Sequence, residues 1–191
     1  SNLRFSFSEK ERDTWGTDIR ECARTLGFSV HIHTRKTGNA CAVTTQNDYG
    51  CDDAAKRLVA LAKEHVGEHS HLKQFSEEVM RWPVKLKREL IRGMFRGDGS
   101  QVWRISSKKG YEGRTFGVTY TSVSRTLIDQ LQLILVQLGI PTRIATVPAG
   151  KRKFPGDQLR DCLQVYIMTV PAPFSFELAD FVWGAASQSK Q

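Results

Sequence analysis

One order of elements occurs twice in this chain at a common offset, and that repeat constrains the fold more than any other feature. Leu26-Gly27-Phe28 and Leu138-Gly139-Ile140 lie 112 residues apart. At the same shift Trp15 falls on Leu127, Ile19 on Leu131, Ala23 on Leu135, Ile32 on Ile144 and Thr34 on Thr146. The strands upstream need one further residue of gap. Any two strand–helix–strand units look somewhat alike, but a shift shared by helix and strand favours duplication. The unit reads strand–strand–helix–strand–strand–helix, with one strand of the first copy missing or very short.

The periodicities give the elements. Leu3, Phe5 and Phe7 alternate with polar Arg4, Ser6 and Ser8, the pattern of a half-buried strand. A helix is predicted over about 9–26, with Trp15, Ile19, Ala23 and Leu26 on one stripe, ended by Gly27. Val30 and Ile32 alternate with His31, His33 and Arg35. A turn, a strand over about 41–45 and a helix from Asp52 or Asp53 to about Val66 complete the first copy. In the second copy Phe116, Val118 and Tyr120 alternate with Gly117, Thr119 and Thr121. Ser124 suits the N-cap of a helix to about Leu138. A strand at 141–146, a basic loop with Lys151, Arg152 and Lys153, and a strand at 163–170 follow. That last strand is predicted to bury Leu163, Val165 and Ile167 and to expose Gln164, Tyr166 and Met168. A final helix covers about 176–183.

Composition narrows the partners. With 28 Lys and Arg against 20 Asp and Glu, the net charge of +8 favours an acidic partner, and nucleic acid is the usual one. The hydrophobic fraction of 40% is enough for a real core. No apolar run approaches the roughly 18 residues of a membrane span. Cys22, Cys41, Cys51 and Cys162 lack the spacing of a zinc or redox motif. They read as reduced, mostly buried residues of an intracellular protein. His65, His69 and His71 cluster, but no fourth ligand lies close enough to make a zinc site.

Between the copies lies an unusual helix, 84–99. Leu86, Leu90 and Met94 form one stripe, and Gly93 and Gly97 lie four apart on one face. Glycine inside a helix costs roughly 1 kcal/mol relative to alanine, and close approach of a second helix is one reason to keep it. Asp98 then stands against the negative end of the helix dipole, where a divalent cation would offset both charges. A glycine-rich helix ending in a plain Asp-Gly turn fits the same pattern.

The run Ile91-Arg92-Gly93-Met94-Phe95-Arg96-Gly97-Asp98-Gly99 resembles the signature of LAGLIDADG homing endonucleases. Lys73, which lies 25 residues before Asp98, is spaced like the lysine of that family's linker, and 121–140 resembles its strand–turn–helix. The resemblance implies an α+β fold: tandem pseudo-twofold αββαββα repeats with curved antiparallel sheets. Residues 1–66 would be a first repeat truncated at its N-terminus, 67–83 a linker and 84–191 the second repeat. It also implies a monomer that cuts double-stranded DNA site-specifically with magnesium. Asp98 would be metal ligand and catalytic acid, and Lys73 a catalytic helper. The first motif's acid would fall upstream of Ser1, so this chain is expected to cut poorly by itself. A second lysine is missing from 163–170, which leaves Lys153 or Arg160 as candidates.

The resemblance further implies that the outer sheet faces meet the major groove. The residues expected there are Arg4, Ser6, His31, His33 and Arg35 in the first copy. In the second they are Arg104, Lys108, Lys109, Arg114, Thr119, Arg143, Lys151, Arg152, Lys153, Gln164 and Tyr166. Three other roles belong to the same class: an RNA maturase, a non-cutting DNA-binding regulator, or the endonuclease part of an intein. The chain shows no recognisable splicing block at Ser1 and no terminal His-Asn.

Overall fold

A computed structural model of the chain describes residues 4–8, 13–27, 30–34, 40–45, 52–67, 69–108, 111–154 and 158–184. They form two compact units, Ser1–Glu64 and His65–Gln191. The first contains β1 (Arg4–Ser8), α1 (Trp15–Thr25), β2 (Val30–Thr34), β3 (Ala40–Thr45) and α2 (Asp52–Val66), whose last turn runs into the second unit. Its antiparallel sheet has the order β1-β3-β2. The second contains α3 (Glu77–Arg81), α4 (Val84–Asp98), β4 (Gly99–Lys108), β5 (Tyr111–Ser122) and α5 (Arg125–Gln137). It continues with β6 (Arg143–Val147), β7 (Gly150–Phe154), β8 (Gln158–Cys162), β9 (Val165–Val170) and α6 (Phe174–Trp183). Its main sheet has the order β4-β5-β9-β6, and β7-β8 is a separate hairpin.

The repeat read from the sequence reappears as connectivity. β1-α1-β2-β3-α2 matches β5-α5-β6-β9-α6, and the sheet orders β1-β3-β2 and β5-β9-β6 correspond. Gly27 and Gly139, the two ends of the 112-residue shift, both take a left-handed φ, +81° and +78°, just after α1 and α5. That conformation is open to glycine and costly for residues with a Cβ. β4 has no counterpart among the described residues of the first unit. The basic stretch expected as a loop is instead the hairpin β7–β8.

The core of the second unit is built on α5. Ser124 caps it by accepting from the Leu127 N–H at 3.2 Å. Leu127, Ile128, Leu131, Ile134 and Leu135 are all buried, and each contributes on the order of 2 kcal/mol of hydrophobic stabilisation. They pack with Ile91 and Phe95 of α4, Phe116, Val118 and Tyr120 of β5, Met168 and Val170 of β9, and Leu178 and Val182 of α6.

Three sequence expectations are corrected. The buried stripe of α4 is Lys87, Ile91 and Phe95, one residue on from the predicted Leu86, Leu90 and Met94. Leu86 is exposed, because the core lies toward α5, where the Lys87 ammonium donates to Gln137 Oε1 at 2.7 Å. Leu26, expected on the buried stripe of α1, is also exposed. Cys22 is exposed and Cys162 only half-buried, so neither is a core cysteine. Among the described residues no helix is long and apolar enough to cross a membrane.

Gly99 joins α4 directly to β4. A Cβ there would run into the Phe95 carbonyl oxygen and lie 2.9 Å from Phe95 Cα. A Cβ on Gly93 or Gly97 meets nothing within 4 Å. In this chain Gly99→Ala is therefore expected to lower the free energy of unfolding by about 2 kcal/mol, the usual cost of overpacking. Gly93→Ala should raise it by up to about 1 kcal/mol. Urea unfolding of the two variants checks both signs.

Candidate functional site at the end of helix α4

Asp98 is the last residue of α4. The helix stops there because Gly99 turns extended, with φ −78° and ψ 154°, and its N–H returns to the Phe95 carbonyl. Arg96 ties the same turn to the end of α6 by donating to the Val182 carbonyl at 2.7 Å. Gly99 then pairs with Tyr120 in the β4–β5 register, which brings Tyr120 beneath the acid. Its ring packs on Phe95 with centroids 5.4 Å apart, and its hydroxyl hydrogen-bonds the Asp98 carboxylate. Burial pushes the Tyr120 pKa far above its ordinary value near 10, and the charge of Asp98 and the hydrogen bond push it further. The phenol therefore stays protonated and serves as a donor.

Asp98 itself is exposed. A cavity of about 280 Å³ beside it is lined by Asp98, Tyr120, Lys73, Ser70, Thr121 and Ser122, among others. The structure thus brings together the two residues singled out in the sequence, Asp98 and Lys73. Lys73 is held by the segment expected as a linker, which is fastened onto α5. Its carbonyl accepts from Ser124 Oγ at 2.5 Å. Two residues on, Phe75 is buried, donates to Gln130 Oε1 at 2.6 Å and accepts from Gln130 Nε2 at 2.9 Å. Tyr120 was not singled out as a site residue. Its place in the alternation Phe116, Val118, Tyr120 marked it as core, and only its hydroxyl distinguishes it from a phenylalanine.

Asp98 supplies one hard oxygen donor group, of the kind magnesium and manganese prefer. Among the described residues it makes no ion pair, and its partner is a neutral hydroxyl. No group of three His, Cys, Asp or Glu side chains converges among the described residues. The glycine face of α4 is open beside it: Gly93 and Gly97 are exposed, and Leu90 and Met94 half-buried.

The sheet faces follow from register. In the first unit Arg4 pairs with Thr44 and Thr44 with His31; Ser6 pairs with Ala42 and Ala42 with His33. The positions of Arg4, Ser6, His31 and His33 therefore share one face, and His31 is exposed. Arg35 and Lys109 lie outside the described residues. In the second unit Arg104, Lys108, Thr119 and Arg143 share the face that carries Gly117 and Thr169. Lys151 and Lys153 are exposed on β7, and Arg152 donates to the Pro148 carbonyl at 3.1 Å.

Three expected outward residues are corrected. Thr119 is on the right face but buried at 8% exposure, between the flanking strands and within 3.4 Å of the Ser100 carbonyl. The position of Arg114 falls on the opposite face, since it shares the parity of Phe116 and Val118. Tyr166 also faces the helices: it packs against the core, under Arg125 at 5.4 Å. Gln164 stays exposed, as expected, and donates to the Tyr166 hydroxyl at 2.5 Å. The cause is the reversed phase of β9, where Met168 and Val170 are the fully buried residues. Val165, Ile167 and Thr169 take the outer face.

Comparison with known proteins places this arrangement. Residues 85–168 match the family model described as a LAGLIDADG-like domain. The chain is similar to solved structures of mesophilic variants of the homing endonuclease I-DmoI, at 8% identity and TM-score 0.56, covering 95% of this chain and 79% of that one. It is similar also to I-DmoI in complex with DNA and Mn, at 7% identity and TM-score 0.54, covering 95% and 80%. At such identities the likeness is one of fold: mixed helices and antiparallel sheets arranged as in LAGLIDADG homing endonucleases. No curated protein sequence matches the chain.

The Tyr120–Asp98 contact predicts a pH dependence. The unfolded chain ionises Tyr120 near its ordinary value, whereas the folded chain keeps the proton. The stabilisation is full below about pH 10 and shrinks as the pH rises above it. Between about pH 9 and pH 11, in metal-free buffer, Tyr120→Phe should lose about 1 kcal/mol less stability than the unsubstituted chain, as read by urea unfolding.

Proposed function

We propose, for a chain whose residues 85–168 are a LAGLIDADG-like domain in the fold of LAGLIDADG homing endonucleases, that the natural protein is a site-specific, metal-dependent double-strand DNA endonuclease. The observation that carries this reading is the cavity shared by Asp98 and Lys73 at the open end of α4.

The chemistry assigned to the site is hydrolysis of a phosphodiester. A divalent ion, when bound, makes water a better nucleophile and offsets charge on the scissile phosphate. Asp98 would hold it. The exposed carboxylate is orientated by the Tyr120 hydroxyl beneath, and the carbonyl end of α4 adds partial negative charge. The Lys73 ammonium would face the charge that develops on the phosphate oxygens. Its backbone is pinned to Ser124, and that of Phe75 two residues on to Gln130, so the segment that carries the lysine is already ordered. The face of Gly93 and Gly97 suits a second glycine-bearing helix bringing its own acid, which would serve the other strand.

DNA binding would use the outer sheet faces. In the first unit these are the positions of Arg4, Ser6, His31 and His33. In the second, Arg104, Lys108 and Arg143 share the sheet face, and Lys151, Arg152 and Lys153 lie on the hairpin. The solved relatives of this fold include I-DmoI variants with target DNA in the presence of Mg. The net charge of +8 supports the same partner.

The test uses the natural full-length protein and duplexes recovered from a random pool by binding. With magnesium, Asp98→Asn should lower strand scission by roughly a hundredfold or more while duplex binding persists. Cutting by Asp98→Asn at the unsubstituted rate would overturn the assignment. Lys151→Ala should reduce the slope of log affinity against log salt by about 0.9, the signature of one lost phosphate contact.

A further inference from the structure

The phase of β9 gives the second unit's sheet an outer face of unusual chemistry. Register aligns Val102 of β4 with Gly117 of β5, Thr169 of β9 with Arg143 of β6, and Ile167 with Ala145. A groove of about 600 Å³ opens on this face, with Gly117, Ile167, Thr169, Ala145 and Arg143 in its wall. Ala145 and Arg143 are exposed, and Ile167, Thr169 and Gly117 half-buried. The floor therefore presents mostly methyl and methylene groups, with the hydroxyls of Thr115 and Thr169 and one guanidinium. The corresponding face of the first unit holds the positions of Arg4, Ser6, His31 and His33, so the two sheets differ in kind.

A groove of this composition selects among base edges. Guanine and cytosine show only hydrogen-bonding groups in the major groove, whereas thymine adds a 5-methyl group. Aliphatic side chains pressed on a G·C edge would strip it of water and return no hydrogen bond. Pressed on a thymine methyl, they bury apolar surface on both sides. Arg143 stands on β6, the edge strand, where a guanidinium reaches the phosphate backbone that flanks a groove. An arginine at the edge of a largely aliphatic floor matches a DNA major groove, negative at its walls and methyl-bearing where thymines lie.

We propose that the outer face of β5, β9 and β6 reads the 5-methyl groups of thymines, so that this unit's half of the target is rich in A·T pairs. The proposal rests on the duplex-binding reading above. It assigns Ile167 and Ala145 as specificity-determining residues, with Gly117 leaving the space a methyl group enters.

The natural full-length protein is first used to recover duplexes from a random pool. Each recovered duplex is then resynthesised with deoxyuridine in place of thymidine, which removes only the methyl groups. Affinity should fall about fourfold for each contacted methyl lost, and the uracil-sensitive positions should cluster in one half of the site. Ile167→Ser should bind the thymine and uracil duplexes alike. Gly117→Ala should narrow the difference between the two duplexes: its Cβ would meet Val170 O at 3.6 Å and Thr169 Cγ2 at 3.7 Å, ordinary contacts, so it takes up groove space while keeping the fold. Recovered duplexes that bind equally well with uracil would overturn the methyl reading alone. Failure to retain any duplex would overturn the endonuclease reading with it.

Discussion

The second unit depends on a single junction, where α4 meets β4 without an intervening loop. The chain reverses at Gly99 so close to Phe95 that a Cβ would strike the Phe95 backbone. Because the turn is this tight, three things happen within five residues. Phe95 is buried to the last. Asp98 is left at the surface on the final helical turn. Gly99 enters the sheet opposite Tyr120. A looser connection would let the acid wander; this one fixes it against a ring already packed on Phe95, and the phenol hydroxyl completes its hold.

The lysine across the cavity depends on the same unit by a different route. The segment after α2 is tied to α5 at three points: Ser124 Oγ to the Lys73 carbonyl, and Gln130 to both backbone groups of Phe75. Ser124 also caps α5 by accepting from Leu127. One side chain therefore starts the central helix and places the lysine. Cap, core helix and site are coupled, since losing the serine would cost helix stability and unpin Lys73 together.

Much of this was legible in the sequence, and the failures have identifiable causes. The repeat, α4 and its terminal acid, the Ser124 cap and the glycine terminators are local signals, written in residues within a few positions of each other. Periodicity went astray where two phases were nearly equal. In α4, Leu86-Leu90-Met94 and Lys87-Ile91-Phe95 are neighbouring stripes, and a lysine at the head of the second hid it. In β9, Val165, Ile167, Met168 and Val170 offer apolar side chains to both faces, so alternation could not choose. Tyr120 is a related case: its alternation marked it correctly as buried, and nothing local announced that its hydroxyl would meet Asp98.

The sequence by itself determined the order of elements, their duplication, the helix bearing Gly93, Gly97 and Asp98, and the pairing in spacing of Lys73 with Asp98. These rest on short-range rules: helical and strand periods, caps, and the conformational freedom of glycine. Tertiary structure alone decided which stripe of α4 and which face of β9 turn inward, because that depends on what lies across the core, where α5 presents five aliphatic side chains. It also decided that Tyr120 supports the acid and that Val165, Ile167 and Thr169 of β9 take the outer face of the second unit's sheet. Both follow from strand register, a relation between residues far apart in the chain that no local pattern encodes.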